Sequence, residues 1–364
     1  MISFGMTEEQ ELVRDSMREF AAEAIRPIAR ACEESAEIPA DFLDTAWSLG
    51  LTSTQIPERF GGAGEARSPV TNAILLEELA FGDAALAAAA VAPSLFANAI
   101  LDHGTEDQKQ ALLPAFCGDS FTTGALAVCE PGALADASRP RTQVEQKGEI
   151  FVLSGRKTFV PFGERASHFL VTAQLGDDLA AFIVPRDAAG LAVGEAEKKM
   201  GLHALPTTGL ELDRVEVGPE SLLGGPEGAD VQQILNASRV GLSTLMLGLS
   251  RAVLEFCVPY SKDRVAFDEP ISKKQSIAFR LAEMHIEQHA LRQLVWQAAS
   301  LLEHGEDATR ASWMARSYAA EKSMWIADNG VQVLGGHGFI REHPVETWFR
   351  GARTLGVLEG LVTV

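Results

Sequence analysis

The spacing of apolar positions changes twice along the chain. Up to about residue 118 it is helical: Leu12, Met17, Phe20, Ala21, Ile25 and Ile28 recur at roughly helical spacing, the stripe an amphipathic helix turns toward a core. Thr7-Glu8-Glu9-Gln10 precedes that stripe as a capping box, with the Thr7 side chain taking an orphan N–H and Gln10 reaching back. Thr105-Glu106-Asp107-Gln108 repeats the device and opens a helix that stops near Pro114. Between them, residues 56–64 hold Gly61, Gly62 and Gly64 and read as a connection. From about 119 to 226 the apolar runs shorten. Residues 150–153, 168–173, 181–184 and 210–212 are bounded by Gly, Pro and Asp and read as antiparallel strands of a sandwich or small barrel. Long helical patterns then return over 231–264, 273–303 and 309–334. The pattern predicts an α+β chain: an N-terminal helical domain over 1–118, a middle antiparallel β-sandwich or barrel domain over 119–226, and a C-terminal helical bundle over 227–364.

Composition narrows the partners. The 364 residues carry 31 Lys+Arg against 50 Asp+Glu, a formal charge of −19, with 46% hydrophobic and 22% charged types, the proportions of a soluble globular protein. That length suits two or three domains. So acidic a surface repels phosphate backbones, which argues against nucleic acid and anionic membranes. Residues 84–101 are uncharged but alanine-rich and interrupted by Pro93, Ser94 and Asn98, so a buried helix with a proline break is expected rather than a membrane span. The first 20 residues carry acidic side chains and no apolar core, unlike a signal peptide. Cys32, Cys117, Cys129 and Cys257 show no C-x-x-C spacing, which fits a reducing, cytoplasmic setting better than a disulfide scaffold or zinc ribbon.

General motifs of chemistry are missing. Neither Gly61-Gly62-Ala63-Gly64 nor Gly335-Gly336-His337-Gly338 completes G-x-G-x-x-G between a strand and a helix, and no P-loop is present. His285 and His289 lie one helical turn apart, but Glu287 is misplaced for H-E-x-x-H and a third ligand is lacking, so solvated helix histidines are expected and no metal. Ser154-Gly155-Arg156-Lys157 fits S-x-x-K formally, without the S-D-N and K-T-G partners of that chemistry.

Longer strings are informative because seven occur in one order. Residues 56–64 are similar to V-P-E-x-Y-G-G-x-G, and Cys129-Glu130-Pro131-Gly132-Ala133-Leu134-Ala135-Asp136 to T-E-P-x-A-G-S-D. Residues 153–163 resemble L-x-G-x-K-x-W-I-T-N-G, and residues 260–268 resemble Y-x-x-x-R-x-x-F-G, with Gln275 beyond. Gln332-Val333-Leu334-Gly335-Gly336-His337-Gly338-Phe339 resembles Q-x-x-G-G-x-G-Y/F, residues 342–346 with Arg350 resemble E-Y-P-V-E and its following Arg, and Leu358-Glu359-Gly360-Leu361 resembles Y-E-G-T. Over essentially its whole length the chain resembles the acyl-CoA dehydrogenase flavoproteins.

That resemblance implies removal of an α-proton from an acyl-CoA thioester and passage of the β-hydride to flavin N5 of FAD. Glu359 matches the base, and its backbone N–H the group that polarises the thioester carbonyl. Ser238, before Arg239, stands where other branches carry the base, and serine has no useful basicity. Ala135, Ser238, Arg239, Leu358 and Gly360 match substrate-contacting positions. Val128, Cys129, Phe159 and Pro161 match the surroundings of the flavin ring. Arg264, Phe267, Gln275, Gln332, Gly335 and Gly336 match residues that reach the FAD of a neighbouring subunit. A homo- or hetero-tetramer and an electron-transfer flavoprotein as acceptor are implied in the same way.

The departures gather near the ring: Cys129 for Thr, Phe159 for Trp, and Pro161 for a Thr whose hydroxyl would meet N5. Leu134-Ala135 stands for Gly-Ser, Asp268 for Gly, Gly351 for Asp and Leu361 for Thr. They raise an alternative: a subunit of a hetero-oligomeric dehydrogenase for bulky CoA esters, such as steroid side chains, whose own flavin site is degraded. The alanines of 84–92 leave room beside an acyl pocket on that reading, and serve helix packing on the plainer one.

Overall fold

The computed structural model describes residues 5–132 and 135–364; Ala133 and Leu134, part of the second matched string, lie outside them. Both capping boxes form: Thr7 Oγ1 accepts the Gln10 N–H at 3.2 Å and Thr105 Oγ1 the Gln108 N–H at 3.2 Å, each Gln returning a bond. The first half consists of α1 (Glu8–Phe20), a π-turn (Ala21–Ile25), α2 (Arg26–Ser35), α3 (Ala40–Ser48), α4 (Pro69–Gly82), α5 (Ala84–Ala90), α6 (Ala92–His103) and α7 (Glu106–Leu112).

The uncharged stretch forms the broken, buried helix expected. Asp83 caps α5 by accepting the N–H groups of Ala85 and Leu86, both at 2.9 Å. The axis bends by 46° between α5 and α6, and Pro93 occupies the first turn of α6, where its missing N–H costs nothing. No residue of α5 is more than 4% exposed, so its alanines serve close packing.

The middle unit is a seven-stranded sheet: β1 (Ala125–Ala127), β2 (Gln143–Lys147), β3 (Ile150–Pro161), β4 (His168–Leu175), β5 (Asp178–Pro185), β6 (Leu191–Ala196) and β7 (Thr207–Val217), in the order β1-β4-β2-β3-β7-β6 with β5 also on β4. The pairs β2–β3, β3–β7, β4–β5 and β6–β7 are antiparallel. The expectation of an antiparallel sheet needs one correction, since β1 and β2 both run parallel to β4. Hairpin logic follows sequential neighbours and misses pairings made through longer connections. Strand β3 also continues past residue 153 to Pro161, with a register shift between Lys157 and Val160 that takes Thr158 and Phe159 out of the ladder.

Helix α8 (Val231–Asp263), a β8 (Val265–Ala266)–β9 (Glu269–Pro270) hairpin, α9 (Gln275–Glu303), α10 (Thr309–Leu334) and α11 (Val345–Leu355) follow. Helix α8 is long and apolar enough to cross a membrane, yet 89% of its most apolar window is buried in the protein. It lies at the centre of the largest core: Leu245, Leu249 and Val253 join Leu79 and Leu86 of α4 and α5, and Ile326 and Leu334 of α10. The last residues, 358–364, pack between this bundle and the sheet.

Candidate active site

Glu359 follows α11 on a segment tied down from α10. Arg316 Nη2 donates to the carbonyls of Leu355 at 3.0 Å and Leu358 at 2.7 Å. Gly360 then turns with φ +73°, and a Cβ there would stand 3.0 Å from the Val128 side chain, so the turn and the tight approach to the sheet both call for glycine.

The carboxylate of Glu359 faces two guanidinium groups. Arg239 Nε stands 3.6 Å from Oε2 and Arg316 Nε 3.7 Å from Oε1, with both arginine side chains under a tenth exposed. Neither distance is a hydrogen bond: Arg239 Nε, Arg316 Nε, Glu359 Oε2 and Ser238 Oγ are all buried without a partner. Burial raises the Glu359 pKa above the ordinary carboxylate value; Arg316 and Arg239 pull it down, Asp136 adds to the rise, and the net shift is upward. Arg239 is itself covered by the Trp313 ring, 4.7 Å from its guanidinium carbon.

Glu359 borders a cleft of about 590 Å³ whose other walls include Val128, Cys129, Ala135, Asp136, Thr158, Phe159 and Val357. Two carboxylates shape it, Glu130 buried and Glu197 half-buried. Glu130 accepts from the N–H of Arg141 at 2.6 Å, the N–H and hydroxyl of Thr142 at 2.9 and 2.6 Å, and Lys157 Nζ at 2.9 Å. Lys157 is fully buried and also reaches the Val128 carbonyl at 3.4 Å and Thr172 Oγ1 at 3.3 Å. Burial pushes the Glu130 carboxyl up, but Lys157 and the Thr142 bonds outweigh it and hold it low. Glu197 accepts from the Thr158 hydroxyl and, at 2.9 Å, from the Phe159 N–H, fixing Phe159 at φ +54°, an uncommon conformation for a bulky residue. The thiol of Cys129 meets the backbone of Glu359 twice: Sγ donates to the Glu359 carbonyl at 3.1 Å and accepts its N–H at 3.2 Å.

Five of the candidate residues thus share one cleft: Val128, Cys129, Ala135, Phe159 and Glu359. Arg239 and Gly360 touch it through Glu359 and Val128. Leu358 is buried beside a smaller neighbouring cavity that Phe159 and Val357 also line, and Ser238 is buried in α8. Pro161 does not border the cleft; it is buried in the sheet opposite Thr207. Arg264, Phe267, Gln275, Gln332, Gly335 and Gly336 are exposed around the ends of α8 and α10 and the start of α9, away from the cleft. Tyr260 links that region, its hydroxyl 3.0 Å from His337 Nδ1. Sequence reasoning passed over Arg316, Glu197 and the role of Lys157. A signal for Arg316 existed: it sits on the buried stripe of α10 with Ser312, Ala315, Ala319 and Ser323.

Residues 7–119, 125–215 and 228–362 match the N-terminal, middle and C-terminal domains of acyl-CoA dehydrogenase. The chain belongs to the acyl-CoA dehydrogenase family. It is 34% identical to an acyl-CoA dehydrogenase of Bacillus subtilis (strain 168) over 98% of this chain and 95% of that protein, and 33% identical to the mitochondrial short-chain specific acyl-CoA dehydrogenase of Bos taurus over 98% and 88%. Among solved structures, butyryl-CoA dehydrogenase from Megasphaera elsdenii is similar with a TM-score of 0.88 and 30% identity, covering 100% of this chain and 96% of that one. A chain from a study of the electron transferring flavoprotein of Acidaminococcus fermentans is similar with a TM-score of 0.87 and 30% identity, over 100% and 96%. As a member of this family the protein is an oxidoreductase.

The family is FAD-dependent, and the residues present fit that cofactor at both regions. The cleft offers Phe159 and main chain near Cys129 beside a carboxylate. At Gly335 and Gly336 an added Cβ would meet no atom within 4 Å, so bare backbone is presented outward beside the exposed Arg264, a group suited to pairing with phosphate. Pro161 is the exception, supplying neither a hydroxyl nor an N–H.

Proposed function

We propose that the protein dehydrogenates an acyl-CoA thioester across Cα–Cβ, with Glu359 as the base. One observation carries the reading: of the carboxylates that line the cleft among the described residues, Glu130, Asp136 and Glu359, the last alone has an oxygen buried and unpaired, faced by two guanidinium groups that steady it without hydrogen-bonding it. A carboxylate already saturated with hydrogen bonds, like that of Glu130, would be a poor base. Raised above its ordinary pKa by burial, Glu359 is better matched to a weakly acidic α-proton. Its own backbone N–H polarises the thioester carbonyl. FAD, when bound, accepts the β-hydride.

The exposed Arg264, Phe267, Gln275, Gln332, Gly335 and Gly336 complete the FAD site of a second chain, identical or homologous, in a tetramer. Cys129 and Phe159, which line the cleft in place of the matched Thr and Trp, favour the homologous partner as a second reading. An electron-transfer flavoprotein as acceptor is supported by the kind of study that yielded one similar structure. The four free thiols suit a cytoplasmic setting.

The test is turnover of a panel of saturated acyl-CoA esters, linear and bulky, with an artificial electron acceptor. Turnover is expected to rise with pH through the elevated Glu359 pKa, since only the ionised carboxylate accepts the proton. Glu359→Gln is expected to lower kcat by about 10³-fold or more. A Gln variant within tenfold of the parent would overturn the assignment.

A further inference from the structure

The N–H that should polarise the substrate is already engaged. The Glu359 amide donates to Cys129 Sγ at 3.2 Å, while the same sulfur gives its proton to the Glu359 carbonyl at 3.1 Å. Cys129 and Glu359 both border the cleft, so this pair of bonds lies where a thioester carbonyl would have to arrive. A sulfur is a weak, polarisable acceptor, and exchanging it for a carbonyl oxygen strengthens the bond to that N–H. Burial pushes the Cys129 thiol up to about 11; the N–H bond from Glu359 opposes the rise, the Glu359 charge adds to it, and Lys157 and Arg316 oppose it. The group is therefore a neutral thiol at neutral pH, able to donate to the carbonyl and to leave the amide without moving a charge.

We propose that Cys129 is a positioning residue that caps the Glu359 N–H in the free protein and is displaced from it by the thioester carbonyl. The thiol thereby keeps the base-bearing segment ordered while the cleft is empty, and only a ligand that carries a carbonyl at this point has to displace it. The inference rests on the proposed acyl-CoA site. Contacts elsewhere already hold the two segments: Arg316 ties the Leu355 and Leu358 carbonyls and Lys157 the Val128 carbonyl. Loss of the thiol should therefore alter exchange at the N–H more than the fold.

The test uses the flavin-loaded protein and two probes: acetyl-CoA, which has a thioester carbonyl but no β-carbon to oxidise, and free CoA, which lacks the carbonyl. Calorimetric Kd values are measured for the parent, Cys129→Ala and Cys129→Ser. Freeing the N–H in Cys129→Ala is expected to tighten acetyl-CoA by roughly three- to tenfold, the weight of one hydrogen bond. Cys129→Ser, whose oxygen caps the N–H more strongly, weakens it by a similar factor, and neither change moves free CoA. In the parent, the S–H stretching band of Cys129 shifts on adding acetyl-CoA and stays put with CoA, a readout that needs no variant. Equal shifts of both probes in the variants, effects of one sign in Ala and Ser, or an S–H band indifferent to acetyl-CoA would each overturn the gate. A parent that binds acetyl-CoA normally while the variants do nothing sinks this inference alone; a parent that binds neither probe sinks the acyl-CoA reading beneath it.

Discussion

Glu130, buried, and Glu359, half-buried, both face arginine or lysine, yet they are built for different ends. Glu130 accepts four hydrogen bonds, from two backbone N–H groups, a hydroxyl and Lys157, and its partner is fully enclosed. Removing one member of such a pair leaves an uncompensated buried charge, so Lys157→Met is expected to cost about 3–5 kcal/mol of stability, read as a lowered urea midpoint. A change below about 1 kcal/mol would show that the pair does not hold the Cys129 loop. Glu359, with an unpaired oxygen, gives up stability for reactivity. In the sequence these residues were unequally legible. Glu359 stood out only through ordered strings, since a glutamate near a carboxyl end is ordinarily solvated. Lys157 appeared as part of a formal S-x-x-K, because a residue pattern does not show that Lys157 points inward at 0% exposure to meet a carboxylate 27 positions away. The Cys129–Glu359 contact spans 230 positions, and no local rule reaches that far.

At the scale of elements, whatever depends on neighbours in sequence was readable. The two capping boxes, the break before α6 and the three long helices follow from local hydrogen bonding and period. What depends on distant partners was not: the parallel placement of β1 and β2 against β4, and the extension of β3, whose second half is irregular where it borders the cleft. Helix α8 shows a further limit, since its composition alone would suit a membrane and only its neighbours make it a core helix. Its contact with α4 is close: a Cβ at Gly248 would fall 2.5 Å from the Glu77 carbonyl oxygen and 2.7 Å from Ala80 Cβ. Gly248→Ala should therefore destabilise by about 1–3 kcal/mol despite the better helix propensity of alanine, measured by denaturant unfolding. A stabilised variant would mean that α4 and α8 can separate without cost.

On the proposed function the whole molecule carries two regions, and the residues of the second do not line the cleft of the first. One is the cleft around Glu359; the other is the exposed end of the bundle with Arg264, Phe267, Gln275, Gln332, Gly335 and Gly336. Phe267 is 89% exposed, an unusual state for a phenylalanine, and association with a second chain would cover it. With a net charge of −19, such association has to rest on local apolar and arginine contacts rather than on overall attraction. On the proposed function, a carboxylate in the cleft starts electron flow from a CoA ester to a flavin. Its most direct test is anaerobic mixing of the yellow, flavin-containing protein with an acyl-CoA that it turns over, followed at the visible flavin band. The parent is expected to bleach, and Glu359→Gln to stay yellow with its flavin retained. Bleaching of the Gln variant at the parent rate would contradict the account.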